Sequence, residues 1–364
     1  MRTIEGTVSE DIKAFLGEQS IAKADAFEVR TYRELMSHVA KLAFLNKDHL
    51  LFYRGQNTDY RNRAGSSMFY PNIYRDDPLP TQEVHYRFEL LNQASKMLAD
   101  EVQEQNINGA QEIKRKKYVQ WSILQHYEVC STPLLDFTHS LRVACSFAQL
   151  NNSTGSAFVY VFGLPYITNR ISINSEHDLV NVRLLSICPP DALRPYYQDG
   201  YVAGTEDITK DYESKTELDF RNRLIAKFKI PSSSKFWGKG FSSIPETALY
   251  PRSDKFLRLC ESLKVSLEQD LRPQEIGEFL KHWTRLEELL NEYTKNISDR
   301  RYSPGRSISL LQKYEKLTKD QAIELDALRK FRNQLVHQPK AIEPGEIGAY
   351  TQNLRKLLSN LHLK

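Results

Sequence analysis

Long apolar runs are missing from this chain of 364 residues. No stretch approaches the ~18–20 uncharged residues that a bilayer crossing needs. The opening MRTIEGTVSEDIKAFL places acids where a secretory leader would carry its apolar centre. The expectation is a cytoplasmic protein without membrane contact. Cysteine is scarce as well: Cys130, Cys145, Cys188 and Cys260 are widely spaced and form no CxxC pair, which argues against a metal site and against a disulfide framework. Charge of one sign is also lacking, since 50 basic against 46 acidic residues leaves +4, too little for a nucleic-acid coat protein. Internal repeats and long low-complexity tracts are absent from the sequence.

What is present suits a globular protein. Hydrophobic residues make up 40% and charged residues 26%, with 17 Phe and 19 Tyr to bury. The length is about twice that of a ~100–200-residue domain, so more than one core is expected. The small basic excess is uneven: residues 264–364 hold 18 basic and 14 acidic side chains, and residues 1–263 are balanced at 32 each. That asymmetry suits either a polyanion partner for the C-terminal part or an ordinary solvated helical surface.

The patterning divides the chain the same way. Residues 31–46 (TYRELMSHVAKLAFLN) have helical spacing, and an apolar strand follows over 50–53, ending at Arg54. Helical patterns run over 81–104 and 111–128, and strand character marks 156–163, 180–187 and 223–230. This reads as an α+β domain with a mixed sheet over 1–263. From Pro273 onward the texture is helical only: 273–297, 307–317, 319–337 and 345–361 predict an all-α four-helix bundle over 264–364.

Two constellations carry chemistry. In the first, Arg54 is followed by Gly55, which lets a ligand or a neighbouring backbone approach the sheet. The guanidinium is placed either to grip phosphate or to make a structural ion pair. Thr138, His139 and Ser140 sit at a strand-to-helix turn, where hydroxyls line a cleft or simply cap the helix. Glu246 stands alone among apolar and proline positions. His126, Tyr127, Asp136 and His139 offer an alternative as a hydrolytic or simple binding cleft.

YRGQ at 53–56, Tyr70-Pro71 with Tyr74-Arg75, QHY…TPLLDFT at 125–138, Gln198 with Gly200, and ALYP at 248–251 occur in an order that resembles the FRG domain. The resemblance covers about 35–262, with Phe137 where relatives often have Trp. The layout is also similar to ADP-ribosyltransferases of the Arg, Ser/Thr, Glu type. That likeness implies NAD as cofactor, with Arg54 and the adjoining Gly55 at its pyrophosphate or ribose, Thr138 or Ser140 and the adjoining His139 at the nicotinamide ribose, and Glu246 as the catalytic carboxylate that stabilises the oxocarbenium-like transition state. The usual Ser-Thr-Ser and Gln/Glu-x-Glu strings are missing.

In the second constellation, Arg332, Asn333 and His337 lie beside the apolar face of 325–339 (LDALRKFRNQLVHQP). Asn333 and His337 are neighbours on one helix face, whereas Arg332 is roughly 140° from His337. The segment resembles the HEPN family, whose RNxxxH motif lies on the third helix of a bundle, with Glu287 where relatives often carry a supporting acid. The resemblance implies a metal-independent endoribonuclease with RNA as substrate, assembled as a homodimer; other HEPN bundles are non-catalytic. The apolar stripe of Trp283, Leu286, Leu290, Phe331 and Leu335 argues for the same dimer. Together the two modules suggest a bacterial toxin or anti-phage effector, with a protein antitoxin or a phage trigger as partner. A non-catalytic sensor or scaffold is the alternative.

Overall fold

The structure, a computed structural model, describes residues 1–75, 79, 81–205, 214–269, 273–295, 297, 302–337, 342 and 345–360. The helices are α1 (Glu10–Leu16), α2 (Tyr32–Leu45), α3 (Thr81–Glu104), α4 (Ala110–Arg115), α5 (Lys117–His126), α6 (Leu141–Gln149), α7 (Leu184–Ile187), α8 (Arg194–Tyr197), α9 (Glu246–Leu249), α10 (Lys255–Gln269), α11 (Pro273–Lys295), α12 (Pro304–Lys313), α13 (Lys319–His337) and α14 (Glu346–Asn360). The strands are β1 (Phe27–Glu28), β2 (Leu50–Gln56), β3 (Leu135–Thr138), β4 (Ser156–Leu164), β5 (Ile171–Asn174), β6 (Leu179–Arg183), β7 (Gly200–Gly204) and β8 (Leu224–Pro231). The chain divides into two compact units: Met1–Arg75 with Ser95–Glu261, and Asp76–Ala94 with Ser262–Lys364.

The first unit is built on one mixed sheet in the order β1-β8-β4-β2-β3-β7-β6-β5. β1 runs parallel to β8 and every other pairing is antiparallel. Both faces are covered. On one, Leu35, Val39 and Leu42 of α2 and Ala144, Cys145 and Ala148 of α6 pack with Leu51, Val159 and Val161. On the other, Phe52, Phe137, Tyr160, Phe162 and Phe220 form an aromatic core. Successive strand residues point to opposite faces, so Leu51 and Tyr53 meet the helices and Phe52 meets the aromatic core. Two-sided burial explains the near-continuous apolar run of β4.

Local signals start the helices. Thr31 Oγ1 accepts from the Glu34 amide at 3.2 Å while Glu34 Oε2 accepts from the Arg30 amide at 2.8 Å, a reciprocal cap that opens α2. Several expectations are corrected. β2 continues through Arg54, Gly55 and Gln56 because these residues pair with Tyr160, Val159 and Phe158 of β4; Arg54 therefore lies inside the strand. The pattern over 111–128 breaks at Lys116, whose backbone is extended between α4 and α5. Residues 180–187 are half strand and half helix, β6 passing directly into α7.

In the second unit α11, α12, α13 and α14 share one core of Phe279, Trp283, Leu290, Leu311, Leu325 and Leu354, among others. The ring of Tyr350 stacks on that of Phe331 at 4.0 Å, and its hydroxyl donates to Glu83 of α3 at 3.3 Å. Trp283, Leu286, Leu290, Phe331 and Leu335 are all buried within this single chain. The apolar surplus read from the sequence as a ground for dimerisation is thus covered by the chain's own helices. No helix among the described residues is long and apolar enough to cross a membrane.

Candidate functional site

Arg54 sits in the middle of the sheet, and its Nη1 donates to the backbone oxygen of Asp136 on β3 at 2.7 Å. Its Nε is buried and unbonded. Burial pulls this guanidinium down to about 10; Asp136 opposes the shift and the charge of Arg75 adds to it. Gln56, two residues on and on the same strand face, has a buried Oε1 without a partner. Gly55, between them, answers to packing: a Cβ there would lie 1.8 Å from the carbonyl oxygen of Ala144 and 2.8 Å from the Ala148 amide. The neighbouring backbone that the residue admits is α6.

The QHY and LLDF segments meet at Asp136. Gln125 Nε2 donates to Asp136 Oδ2 at 2.7 Å, and His126 Nδ1 lies 3.3 Å from Oδ1. Thr132 Oγ1 donates to Gln125 Oε1 at 2.6 Å, which fixes the amide from behind. Burial alone would raise the Asp136 carboxyl, but the bond and charge of His126, with Arg54 and Gln125, hold it below the usual carboxylate range. The His126 side chain is only 6% exposed, and its Nε2 is buried without a partner. Gly200 on β7 leaves room for that ring: a Cβ at position 200 would stand 3.3 Å from Cε1 and 3.5 Å from Nε2.

A second set of contacts ties the 248–251 segment to this centre. Arg194 Nη1 donates to the His126 carbonyl at 3.2 Å, and its guanidinium lies 5.1 and 5.0 Å from the rings of Tyr127 and Tyr250. Gln198 Nε2 donates to the Leu249 carbonyl at 2.8 Å. The Tyr127 hydroxyl donates to Asp254 Oδ2 at 2.5 Å, and the same oxygen accepts from the Leu193 and Arg194 amides. Asp254 and Arg194 were not singled out in the sequence, because their partners Tyr127 and His126 lie more than sixty positions away.

The remaining expected residues fall around this network. Thr138 is buried and accepts from the Ser140 amide at 3.0 Å; Ser140 caps α6 by accepting from the Val143 amide at 3.3 Å. Each hydroxyl still has its proton to donate. The His139 ring packs on Phe52 at 4.0 Å and Tyr201 at 4.5 Å, and burial, aided by Arg183, pulls it down to about 4. Glu246 is the exposed first residue of α9. Among the described residues no hydrogen bond or ion pair joins it to Arg54; its charge and that of Asp136 both act on the Tyr250 hydroxyl, which burial and these carboxylates raise.

In the second unit, Arg332 Nη1 donates to Asn333 Oδ1 at 3.4 Å, and Arg332 Nε is buried and unbonded. His337 ends α13, and its side chain lies outside the described residues. Glu287 is half-buried on α11. A groove of about 630 Å³ runs along α13, lined by Lys319, Lys330, Gln312, Phe331 and Tyr350 among others. Among the described residues no group of three or more His, Cys, Asp or Glu side chains could hold a metal ion.

No curated protein and no solved structure matches the chain. The family match covers the segment from the residue before β2 to the first residue of β4, including Arg54, Gly55, Gln125, His126 and Asp136, and stops short of Gln198, Gly200 and Glu246. Over residues 49–156 the chain matches the FRG domain.

Proposed function

We propose that the chain is a cytoplasmic effector of bacterial toxin or anti-phage type. In this reading the first unit holds a phosphate-bearing nucleotide such as NAD, and α11–α14 form a HEPN-like four-helix bundle that cuts RNA. The observation that carries the first half is the state of Arg54. It is a half-buried cation whose only hydrogen bond among the described residues is to a carbonyl oxygen, with a second guanidinium, Arg75, close enough to depress it. Such a charge is stabilised by a ligand that brings anionic oxygens. Glu246 then supplies the carboxylate that stabilises positive charge on the ribose as nicotinamide leaves, and the Thr138 and Ser140 hydroxyls orient that ribose.

Support for the second half is Arg332 with Asn333 on the third of four helices, Arg332 Nε buried and unbonded. His337 is roughly 140° from Arg332 around α13, so the composite site draws on two chains and the active form is a homodimer. There Arg332 stabilises phosphorane charge and His337 transfers a proton at the RNA 2′-hydroxyl. One observation favours the non-catalytic sensor instead: both hydroxyls serve as acceptors in the turn that opens α6, Thr138 from the Ser140 amide and Ser140, as its cap, from the Val143 amide. In that reading the first unit binds its ligand, an antitoxin or a phage component, and the helices only dimerise.

The test incubates purified protein with NAD and, separately, with total RNA. The expected results are nicotinamide release lost in Glu246→Gln with NAD binding kept, binding lost in Arg54→Ala, and RNA fragments lost in Arg332→Ala and His337→Ala. A wild type that binds no nucleotide and leaves RNA intact overturns the proposal.

A further inference from the structure

The groove of about 630 Å³ in the second unit is straight. α13 lines it with a residue at every third or fourth position from Lys319 to Gln334, and α12 does the same from Gly305 to Gln312. That spacing is one face of each helix, so the groove is a valley about 22 Å long at 1.5 Å per residue of α13. Its middle is apolar and partly small, with Ala322, Ala327 and Ile308, and Ile323 beside them is 42% exposed. Lys319 and Lys330, both exposed, stand eleven positions apart along it. Asp326, the acid among the lining residues, already holds Arg329 at 2.8 Å and Lys330 at 3.0 Å. Arg329 reaches the groove beside Gly305, so two cations share one carboxylate there and a positive charge remains. Glu83, which accepts from the Tyr350 hydroxyl, is held in turn by Arg87 at 2.9 Å.

Possible occupants differ in what they need. A single RNA strand needs cations along its whole length, and between Lys319 and Lys330 the groove offers mainly alanine and isoleucine. A small anion has no use for an apolar valley of this length. A helix needs a straight valley, small residues between which its side chains sit, and opposite charge at the rim. We infer that this groove docks an acidic amphipathic helix of a partner protein. The helix lays one apolar row over Ala322, Ile323 and Ala327 and sets carboxylates about eleven residues apart against Lys319 and Lys330. Arg332 and Asn333 are not among the lining residues, so the inference stands apart from the RNA and nucleotide readings.

The experiment selects peptides of about 16 residues, the helical length that spans the valley, from a random phage-displayed library against the full chain. Enriched sequences are then synthesised and their binding measured by fluorescence anisotropy. They should carry two acidic residues about eleven positions apart around an apolar row. Binding should fall about tenfold when Lys319→Glu and Lys330→Glu are combined. A peptide whose acids are replaced by lysine should regain it on that variant, a rescue that an unfolded chain could not give. Ala327→Trp, which fills the floor, should abolish binding and leave the helical content unchanged. Failure to enrich any peptide overturns the inference, and so do enriched peptides without an acidic preference or with binding that ignores both the charge reversal and Ala327→Trp. Displacement of the peptide by oligouridylate would assign the groove to RNA, and a wild-type dimer that Ala327→Trp splits would assign it to a second copy; either result overturns the partner helix.

Discussion

Replacing Gly55 by alanine separates the two reasons a glycine can stand beside an arginine in a strand. The added Cβ would lie 1.8 Å from the Ala144 oxygen and 2.8 Å from the Ala148 nitrogen. Those atoms are the i and i+4 partners of one helical turn, so the methyl would press on a backbone hydrogen bond of α6 and on nothing that can rotate away. An ordinary contact of about 3.5 Å requires the helix to retreat by about 1.7 Å. A gap of even 0.5–1 Å forfeits about a quarter to a half of the dispersion attraction, and the contacts at stake join Ala144, Cys145 and Ala148 to Leu51, Val159 and Val161. Overpacking with a backbone shift costs about 3 kcal/mol or more, a large part of the ~5–15 kcal/mol that holds a domain together. For a unit of this size the melting temperature should fall by roughly 6–12 °C. Urea and thermal unfolding followed by circular dichroism measure it. Gly200→Ala is the control, because its Cβ meets side-chain atoms of Leu184 and His126, which can adjust. A Gly55→Ala protein as stable as wild type but unable to bind ligand would refute the packing argument and return Gly55 to the ligand.

Other expectations follow from buried charge and exposure. Asp59 holds Lys227 at 3.3 Å and Arg61 at 2.7 Å with both Asp59 and Lys227 nearly inaccessible, so Asp59→Asn should cost about 3–5 kcal/mol by stranding Lys227, as read by urea midpoints; a loss under 1 kcal/mol would contradict the account. Burial lowers His49, His139 and His177, His139 to about 4. The unfolded chain therefore binds more protons between its ordinary histidine value and the folded one, and stability should fall as pH drops from about 6.5 towards 4; His139→Phe should flatten that slope, and an unchanged slope would show that the ring is not buried neutral. Cys145, Cys188 and Cys260 are buried and pushed upward by burial, so native protein should titrate with one rapid thiol equivalent, at Cys130, and rapid reaction of a second thiol would contradict the packing. Trp283→Ala should destabilise by about 3–5 kcal/mol, measured by thermal melts, because the ring is 2% exposed within the helical core.

Elements that bury a full stripe were legible from the sequence, and those defined by a partner were not. α2 and α11 differ from the sequence reading by a residue or two because their apolar spacing is itself the helix signal. β1, β5 and β7, of two to five residues, hold too few alternations to register; β3 was legible as the strand before a helix turn, but its run through Thr138 is set by the pairing of Asp136 and Phe137 with Val202 and Tyr201. The site divides likewise. Arg54, Gly55, His126 and Asp136 could be singled out as residues, but what each does is decided by contacts far along the chain: Tyr127 meets Asp254 across 127 positions, and Asp59 meets Lys227 across 168. The stripe of Trp283, Leu286 and Leu290 makes the limit plain. Periodicity establishes that such a face must be covered, and it is silent on whether a second chain or the same one covers it. Here Leu311, Leu325 and Leu354 of the same chain complete that core, so any pairing of two chains must be argued from Arg332 and His337, where one helix cannot bring both groups to one phosphate.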